Sequence, residues 1–323
     1  MFLIITCIIK YNNVITIIYL FLFKIGAILF IWDNFTKLNQ FNIYQSILIT
    51  LSKYKFMKGI IGAITGDIIG STREFYPIKT KDFELFTPYS RVTDDSILTL
   101  AVANWLCEDK NSQDVLIKNL QYFGNRYPDA GYGSSFGGWL VQESPKPYDS
   151  WANGSAMRVS PCAWVAESLE EANDLAYKSA IVSHDHPEDI KGALSTADAI
   201  YLARTGASKD EIRNHIEREY AYDLNRSVDE IRPEYSFDVS CAGSVPEAII
   251  CFLDAKDFED AIRNAVSLGG DADTQAAIAG SIASAYWDVP QKIYDETVSY
   301  LDDFLLDAFN RFEAMMIRKI KNL

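Results

Sequence analysis

Two short acidic clusters, far apart in the chain, contain the residue types that bind hard divalent cations. One is Thr93-Asp94-Asp95-Ser96 and the other is Gly269-Gly270-Asp271-Ala272-Asp273-Thr274. Mg²⁺ prefers carboxylate, hydroxyl and water oxygens in near-octahedral geometry, and a site with two such ions needs bridging carboxylates from more than one segment. The two clusters together therefore predict a split metal site.

Each cluster also stands immediately before an apolar run, and this position has a simpler interpretation. Thr93 or Asp94 could cap one helix and Asp271 another, because side-chain oxygens at a helix N-terminus accept backbone N–H groups. Either cluster alone is more typical of a cap than of a metal ligand. A cap needs only one acceptor, however, and each cluster holds two carboxylates and a hydroxyl, so the pair favours metal binding.

The composition of the chain limits the classes of function. Its 323 residues are 49% hydrophobic and 13% aromatic, which excludes disorder and allows a large core. The net charge of −14, without a basic cluster, argues against a nucleic-acid partner bound through its phosphates. Five widely spaced cysteines without a CxxC pair indicate neither a disulfide framework nor a zinc site, so we expect a cytoplasmic protein.

The first 56 residues differ from the rest of the chain. They contain five lysines and a single acid, Asp33, so their net charge of +4 leaves −18 for residues 57–323. The apolar stretch 14–32 would suit a membrane anchor or an uncleaved signal. Met57, in contrast, begins a sequence typical of the opening of a soluble domain. We expect residues 57–323 to form the domain, and residues 1–56 to result from a start codon placed too far upstream or, if genuine, to anchor the protein to a membrane.

Apolar residues recur at intervals of three and four positions over most of the chain after Met57. This spacing predicts amphipathic helices, and no segment shows the strict alternation that is typical of strands. The predicted helices span residues 96–108, 112–123, 161–178, 189–204, 209–220, 245–253, 258–268, 274–287 and 290–321. We therefore predict a single, compact all-α domain of about ten or more short helices.

Two glycine-containing segments add detail to this prediction. Residues 276–285 are rich in Ala, Gly and Ser, which predicts a central, buried helix whose N-terminal Asp271 and Asp273 lie in the middle of the molecule. Residues 131–138 contain four glycines and predict a loop. Its N–H groups could bind phosphates while Tyr132 or Phe136 stacks on a base, although a flexible surface turn explains the glycines equally well.

Five motifs follow one another along the chain at wide spacing. They are Gly66-Asp67-Ile68-Ile69-Gly70 with Glu74 four positions later, Thr93-Asp94-Asp95, Asn153-Gly154-Ser155-Ala156-Met157-Arg158, Ser183-His184, and Gly269-Gly270-Asp271-Ala272-Asp273-Thr274. In this order they resemble the ADP-ribosylglycohydrolase family, which includes dinitrogenase-reductase-activating glycohydrolases and ADP-ribosylarginine and ADP-ribosylserine hydrolases. Ser96 and Ala272 stand where many relatives have Thr, and neither difference removes a carboxylate.

The resemblance implies an all-α fold with two Mg²⁺ ions, for which Mn²⁺ could substitute, at the floor of a cleft that binds ADP-ribose. The metal ligands that it implies are Thr93, Asp94, Asp95, Asp271, Asp273 and Thr274. The implied contacts to the substrate are Gly131, Tyr132 and Gly133 near the pyrophosphate, Gly154, Ser155 and Met157 around ribose and phosphate, and His184. Glu74 resembles an acid that gates or touches the metal site, and either Glu74 or Asp95 is expected to be the general base.

The resemblance also implies the reaction, a Mg²⁺-dependent hydrolysis of the glycosidic bond between ADP-ribose and a modified side chain, most often arginine. The partner would be an ADP-ribosylated protein or a small ADP-ribose conjugate, and the acidic chain favours a cationic guanidinium over nucleic acid. Serine-linked or other conjugates are alternatives. So are a non-catalytic ADP-ribose-binding or structural relative, which would not need four crowded carboxylates, and an unrelated phosphohydrolase, which would usually bring His-Asp metal pairs.

Overall fold

The structure of the protein is a computed structural model that describes residues 59–321. Over that range the chain forms fifteen α-helices and no β-strand, apart from one isolated bridge between Ala152 and Ser240. The predicted all-α class is confirmed, and the described helices share one hydrophobic core. The expectations for residues 1–56 fall outside the described range.

The helices follow one another through loops of varied length. In chain order they are α1 (Ile61–Gly70), α2 (Asp94–Asp109), α3 (Gln113–Arg126), α4 (Ser134–Leu140), α5 (Gly154–Arg158), α6 (Ser160–Val165), α7 (Leu169–Ile181), α8 (Pro187–Thr205), α9 (Lys209–Tyr220), α10 (Val228–Ile231), α11 (Cys241–Asp254), α12 (Phe258–Ser267), α13 (Ala272–Tyr286), α14 (Gln291–Ser299) and α15 (Asp303–Lys321). None of these helices is both long and apolar enough to cross a membrane.

Helix α13 lies at the centre of the fold, as the small residues of segment 276–285 predict. Every residue from Ala272 to Ala285 is buried. Its closest neighbour is α1, where Gly62 and Gly66 face it. A Cβ atom on Gly66 would lie only 2.0 Å from the carbonyl oxygen of Ala276, so the two backbones touch directly. This contact places the second turn of α13 beside the middle of α1, and the start of α13 lies against Gly70 at the end of α1.

Two of the predicted helices are in fact divided. The segment 161–178 was expected to be continuous, but α6 ends at Val165 and α7 begins after Ser168, whose hydroxyl accepts the backbone N–H of Glu171. The segment 290–321 is divided between α14 and α15, where Asp302 accepts the N–H of Leu305. In both places a local polar side chain satisfies N–H groups that a continuous helix would use internally.

The predicted glycine loop 131–138 is also partly helical. Its second half is α4, which begins at Ser134 and buries Phe136 and Trp139. Gly131, with φ of 108°, makes the turn that precedes it. The two aromatic rings stack at 5.3 Å and anchor the short helix to the core, which explains why four glycines do not prevent it.

Candidate active site

Carboxylates from α1, α2 and α13 and from the loop after α1 meet at the centre of the molecule. Oxygen atoms of Asp67, Asp95 and Asp273 lie within 4.8 Å of one another, and so do oxygen atoms of Glu74, Asp271 and Asp273. Asp273 belongs to both groups and joins them. The structure therefore brings together the two acidic clusters of the sequence, and either group could hold a metal ion.

The positions of Thr93 and Asp271 show why capping does not account for these clusters. Both residues occupy the N-cap positions of their helices, α2 and α13, yet neither side chain makes a capping hydrogen bond. The hydroxyl of Thr93 donates to Asp67 at 2.5 Å, and Asp271 accepts the side-chain amide of Asn153 at 2.7 Å. Their side chains therefore organise the carboxylates, and at the start of α2 it is Asp67, from α1, that accepts the backbone N–H of Ser96.

Burial raises the pKa of every carboxylate in the cluster, and repulsion by neighbouring carboxylates raises the pKa of most of them further. Burial, then the charges of Asp273 and Asp67, raise the pKa of Asp95 well above its ordinary value. Burial, followed by the charge of Asp273, raises the pKa of Glu74 to about 8. Burial also raises the pKa of Asp271 to about 6. Crowded anions with raised pKa values have the electrostatic character of a cation site, because a bound cation would favour their charged forms.

An orphaned oxygen provides independent support for a cation at this position. Oδ2 of Asp95 accepts the hydroxyl of Thr274 at 3.2 Å, but Oδ1 has no hydrogen-bond partner among the described residues. Asp95 is only 2% exposed, so bulk water does not satisfy this atom. A buried carboxylate oxygen without a donor is a suitable ligand for a hard cation.

The carboxylates form the floor of a cleft of about 700 Å³. Glu74, Asp94, Asp95, Asp271, Asp273 and Thr274 all line this cleft, whereas Thr93 lies beneath it with its hydroxyl bonded to Asp67. Glu74 is half-buried, and it reaches the cleft from the long loop between α1 and α2. Lys79 holds this loop in place, since its ammonium donates to the carbonyl oxygens of Arg232 and Leu268.

Most of the predicted substrate contacts line the same cleft. Gly131, Gly133, Gly154, Met157 and His184 do so, but Tyr132 and Ser155 do not. Tyr132 packs against Phe136 at 5.9 Å, and the fully buried Ser155 donates its hydroxyl to the carbonyl oxygen of Asp189 at 3.2 Å. These two residues therefore support the wall of the cleft from behind.

A model of the ADP-ribosylglycohydrolase family matches residues 50–316, which is more than half of the chain. The chain belongs to the ADP-ribosylglycohydrolase family. ADP-ribosylhydrolase ARH3 from Mus musculus is 25% identical over 315 residues, covering 73% of this chain and 85% of that protein. ARH3 from Homo sapiens is 26% identical over 315 residues, covering 73% and 86%.

Two further similarities extend this comparison. The protein named ADP-ribosylarginine hydrolase Tri1 from Pseudomonas putida is 24% identical to this glycohydrolase over 258 residues, covering 71% of this chain and 70% of that protein. A solved structure named ADP-ribosylglycohydrolase-related protein complex has a TM-score of 0.61 at 22% identity, and the match covers 83% of this chain and 98% of that one. The structural likeness shows the fold, and membership of the family supports an ADP-ribose glycohydrolase activity.

Asp67 also belongs to this site, although no sequence pattern indicates its role. Its fully buried carboxylate accepts the backbone N–H groups of Thr93 and Ser96 at 3.0 and 3.1 Å, and both of their hydroxyls. It thus fixes the first turn of α2, which carries Asp94 and Asp95. The available signal was a single acid in the otherwise apolar α1.

Arg158 is a second residue of this cleft whose role no sequence pattern indicates. Its guanidinium is fully buried, lies 5.5 Å from the ring of Phe136 and borders the cleft. One nitrogen, Nη2, donates to the carbonyl oxygen of Ser179 and the hydroxyl of Ser183. The cleft therefore has an acidic floor and a positive charge behind its wall.

Exposed aromatic residues surround the mouth of the glycohydrolase cleft. Phe75 and Phe237 come from different loops, and their rings stack at 6.4 Å. Trp151 also borders the cleft and is 54% exposed. The sequence carries no periodic signal for such residues, because their exposure depends on how distant loops meet.

Proposed function

We propose that this protein is a Mg²⁺-dependent hydrolase that cleaves the glycosidic bond between ADP-ribose and a modified arginine side chain of a protein. The observation that carries the proposal is the meeting of both acidic clusters at the floor of one cleft. The volume of about 700 Å³ lies in the range of small-molecule and cofactor sites.

The residues of the floor suit the chemistry of glycosidic cleavage. The bond at the anomeric carbon breaks through an oxocarbenium-like transition state, which is cationic and is stabilised by nearby carboxylates. A carboxylate that faces the cleft can accept the proton of the attacking water. Glu74 and Asp95 both line the cleft, and we propose one of them as this general base.

Asp94, Asp95, Asp271, Asp273 and Thr274 are the residues that would hold two Mg²⁺ ions. The crowded carboxylates and the orphaned Oδ1 of Asp95 support this assignment. When bound, the ions would supply Lewis acidity toward the ribose hydroxyls and the attacking water. Thr93 and Asp67 hold the ligand-bearing turn of α2 in place through their mutual hydrogen bonds.

Arginine is proposed as the modified residue on two grounds. Tri1 is named as an ADP-ribosylarginine hydrolase. In addition, the chain carries a net charge of −14, and an acidic protein attracts a substrate with a cationic guanidinium. Serine-linked ADP-ribose is the alternative substrate for the same cleft.

The decisive experiment measures release of ADP-ribose from arginine-linked and serine-linked substrates, with Mg²⁺ and with EDTA. The double variant Asp271→Asn, Asp273→Asn should lose release by at least about a hundredfold, the lower end expected when a catalytic site is disabled. Asp82→Asn, Asp129→Asn changes two exposed aspartates outside the cleft and is the matched control. Release that persists in EDTA, or in the first double variant, would overturn the proposed metal chemistry.

A further inference from the structure

Three side chains form a continuous chain of hydrogen bonds behind the cleft. Nη2 of Arg158, at the end of α5, donates to the hydroxyl of Ser183 at 2.8 Å. The same hydroxyl lies 2.8 Å from Nδ1 of His184. Arg158 and Ser183 are fully buried and His184 is 4% exposed, so bulk water does not compete for these bonds.

The direction of each proton in this chain follows from the donors available. An arginine guanidinium can only donate, so the Ser183 oxygen accepts from Arg158. The hydroxyl proton of Ser183 then needs an acceptor, and the described contacts of this oxygen offer one, Nδ1 of His184. A ring nitrogen that accepts a hydrogen bond carries no proton, and in a neutral imidazole the proton then resides on Nε2.

The electrostatic surroundings keep the imidazole in its neutral form. Burial, followed by the charge of Arg158, lowers the pKa of His184 well below its ordinary value of 6.5. The ring therefore has two tautomers available at neutral pH, and the Ser183 hydroxyl distinguishes between them.

The opposite side of the ring faces the cleft. Among the hydrogen bonds of the described residues, Nε2 has one contact, with the hydroxyl of Tyr148 at 3.5 Å, which is too long for a strong hydrogen bond. Gly154 lies on the other side, and a Cβ atom there would approach Nε2 to 2.7 Å. The absence of a side chain at Gly154 thus leaves room beside a donor that is available to a bound ligand.

We propose that Ser183, oriented by Arg158, is a positioning residue that holds His184 as the Nε2–H tautomer, so that His184 presents a hydrogen-bond donor to an acceptor oxygen of the ligand. That the ligand is ADP-ribose rests on the proposed function. The tautomer itself does not, because it is set by contacts within the protein.

Nitrogen-15 NMR of histidine-labelled protein tests the tautomer directly. The chain has only three histidines, and His184→Gln identifies the signals of His184 by their disappearance. At neutral pH we expect a proton on Nε2 of His184 and an unprotonated Nδ1. A proton on Nδ1 in the unaltered protein would overturn the proposal, whatever the protein binds.

The Ser183→Ala variant tests whether the serine sets this state. We expect loss of the single tautomer, together with weaker ADP-ribose binding in calorimetry by about fivefold to tenfold, the value of one hydrogen bond. Ser195→Ala is the control, because it removes another buried hydroxyl that bonds to a backbone carbonyl outside the cleft.

The possible outcomes separate the two proposals. An unchanged His184 spectrum in Ser183→Ala would overturn the role of Ser183, even if binding weakened. The expected tautomer in a protein that binds no ADP-ribose would instead count against the proposed function. If Ser183→Ala fails to fold, the spectrum of the unaltered protein still decides which nitrogen carries the proton.

Discussion

Asp67 binds Ser96 through two hydrogen bonds to one carboxylate oxygen, one from the backbone N–H and one from the hydroxyl of the serine. The pair joins the middle of α1 to the first turn of α2. Because the bonds come from both backbone and side chain, they fix the position of the turn as well as its orientation. The proposed metal ligands Asp94 and Asp95, which precede Ser96, depend on this attachment.

Asp67→Asn is therefore expected to destabilise the protein and to weaken Mg²⁺ binding. The side-chain NH₂ group of the asparagine is a donor. It would replace a carboxylate oxygen that now accepts N–H or hydroxyl groups of Thr93 or Ser96. We expect a loss of about 2 kcal/mol in the free energy of unfolding, as for a buried group left without its partner. Denaturant unfolding with and without Mg²⁺ measures both effects. Asp82→Asn serves as the exposed control, and equal stability of the two variants would contradict the role given to Asp67.

Glu74→Gln is expected to separate catalysis from stability. If Glu74 is the general base, turnover should fall by at least about a hundredfold. In EDTA, however, the variant should melt at a higher temperature than the unaltered protein. Burial, followed by the charge of Asp273, disfavours the charged form of Glu74 in the folded state and raises its pKa to about 8, and glutamine has no charged form to disfavour. Turnover and thermal melting of the same samples provide the test.

Asp95→Asn is the companion variant. If turnover falls by less than about a hundredfold in both Glu74→Gln and Asp95→Asn, neither residue is the general base. A large loss in Asp95→Asn alone, with Mg²⁺ binding retained in calorimetry, would assign the base to Asp95 and leave Glu74 as a residue of the cleft wall.

The stability of the metal-free protein should fall as the pH rises. The folded-state pKa of Glu74, about 8, exceeds its ordinary value of 4.5, and that of Asp271, about 6, exceeds 3.8. Between the ordinary pKa and the folded-state pKa of each group, the folded state binds more protons than the unfolded chain. The free energy of unfolding therefore decreases from about pH 4 to about pH 8. Melting temperatures in EDTA across this range should show the decline.

Mg²⁺ should reduce this dependence on pH, because it binds the charged carboxylates. The difference in melting temperature between Mg²⁺ and EDTA should therefore grow with pH up to about 8. A difference that is constant across the range would show that the cluster does not bind the ion through these carboxylates.

Gly66→Ala is expected to disrupt the central helix pair. The added Cβ would lie 2.0 Å from the carbonyl oxygen of Ala276, so α1 and α13 must separate. We expect a cost of about 3 kcal/mol, at the upper end of overpacking, together with weaker Mg²⁺ binding. Gly138→Ala in α4 is the control, since no atom lies within 4 Å of its added Cβ. Similar melting of the two variants would contradict the tight contact.

The sequence predicts the acidic floor of the cleft better than the cleft wall, and the reason is physical. Asp94, Asp95, Asp271 and Asp273 lie in compact clusters at helix starts, where local residue types carry the signal. Asp67 and Arg158 are single charged residues in apolar helices, and their functions come from partners in other segments. No local pattern reports such partners.

The helix boundaries show the same limit. Apolar spacing continues through 161–178 and 290–321, so it predicts one helix in each segment, but Ser168 and Asp302 accept N–H groups that begin new helices. The contact of Phe75 with Phe237 likewise joins two loops far apart in the chain. Periodicity describes which face of a helix is buried and does not specify where loops meet.

The glycine contact between α1 and α13 also has a consequence for which ions the site could accept. Asp67, which holds the first turn of α2 with Asp95, follows Gly66 on α1, and Asp273 lies in the first turn of α13, so the backbone contact limits how far apart Asp95 and Asp273 can lie. A site of fixed width cannot expand to the longer ligand distances and higher coordination numbers of Ca²⁺. Gly66 thereby limits the ionic radius that the acidic floor of the cleft can accommodate.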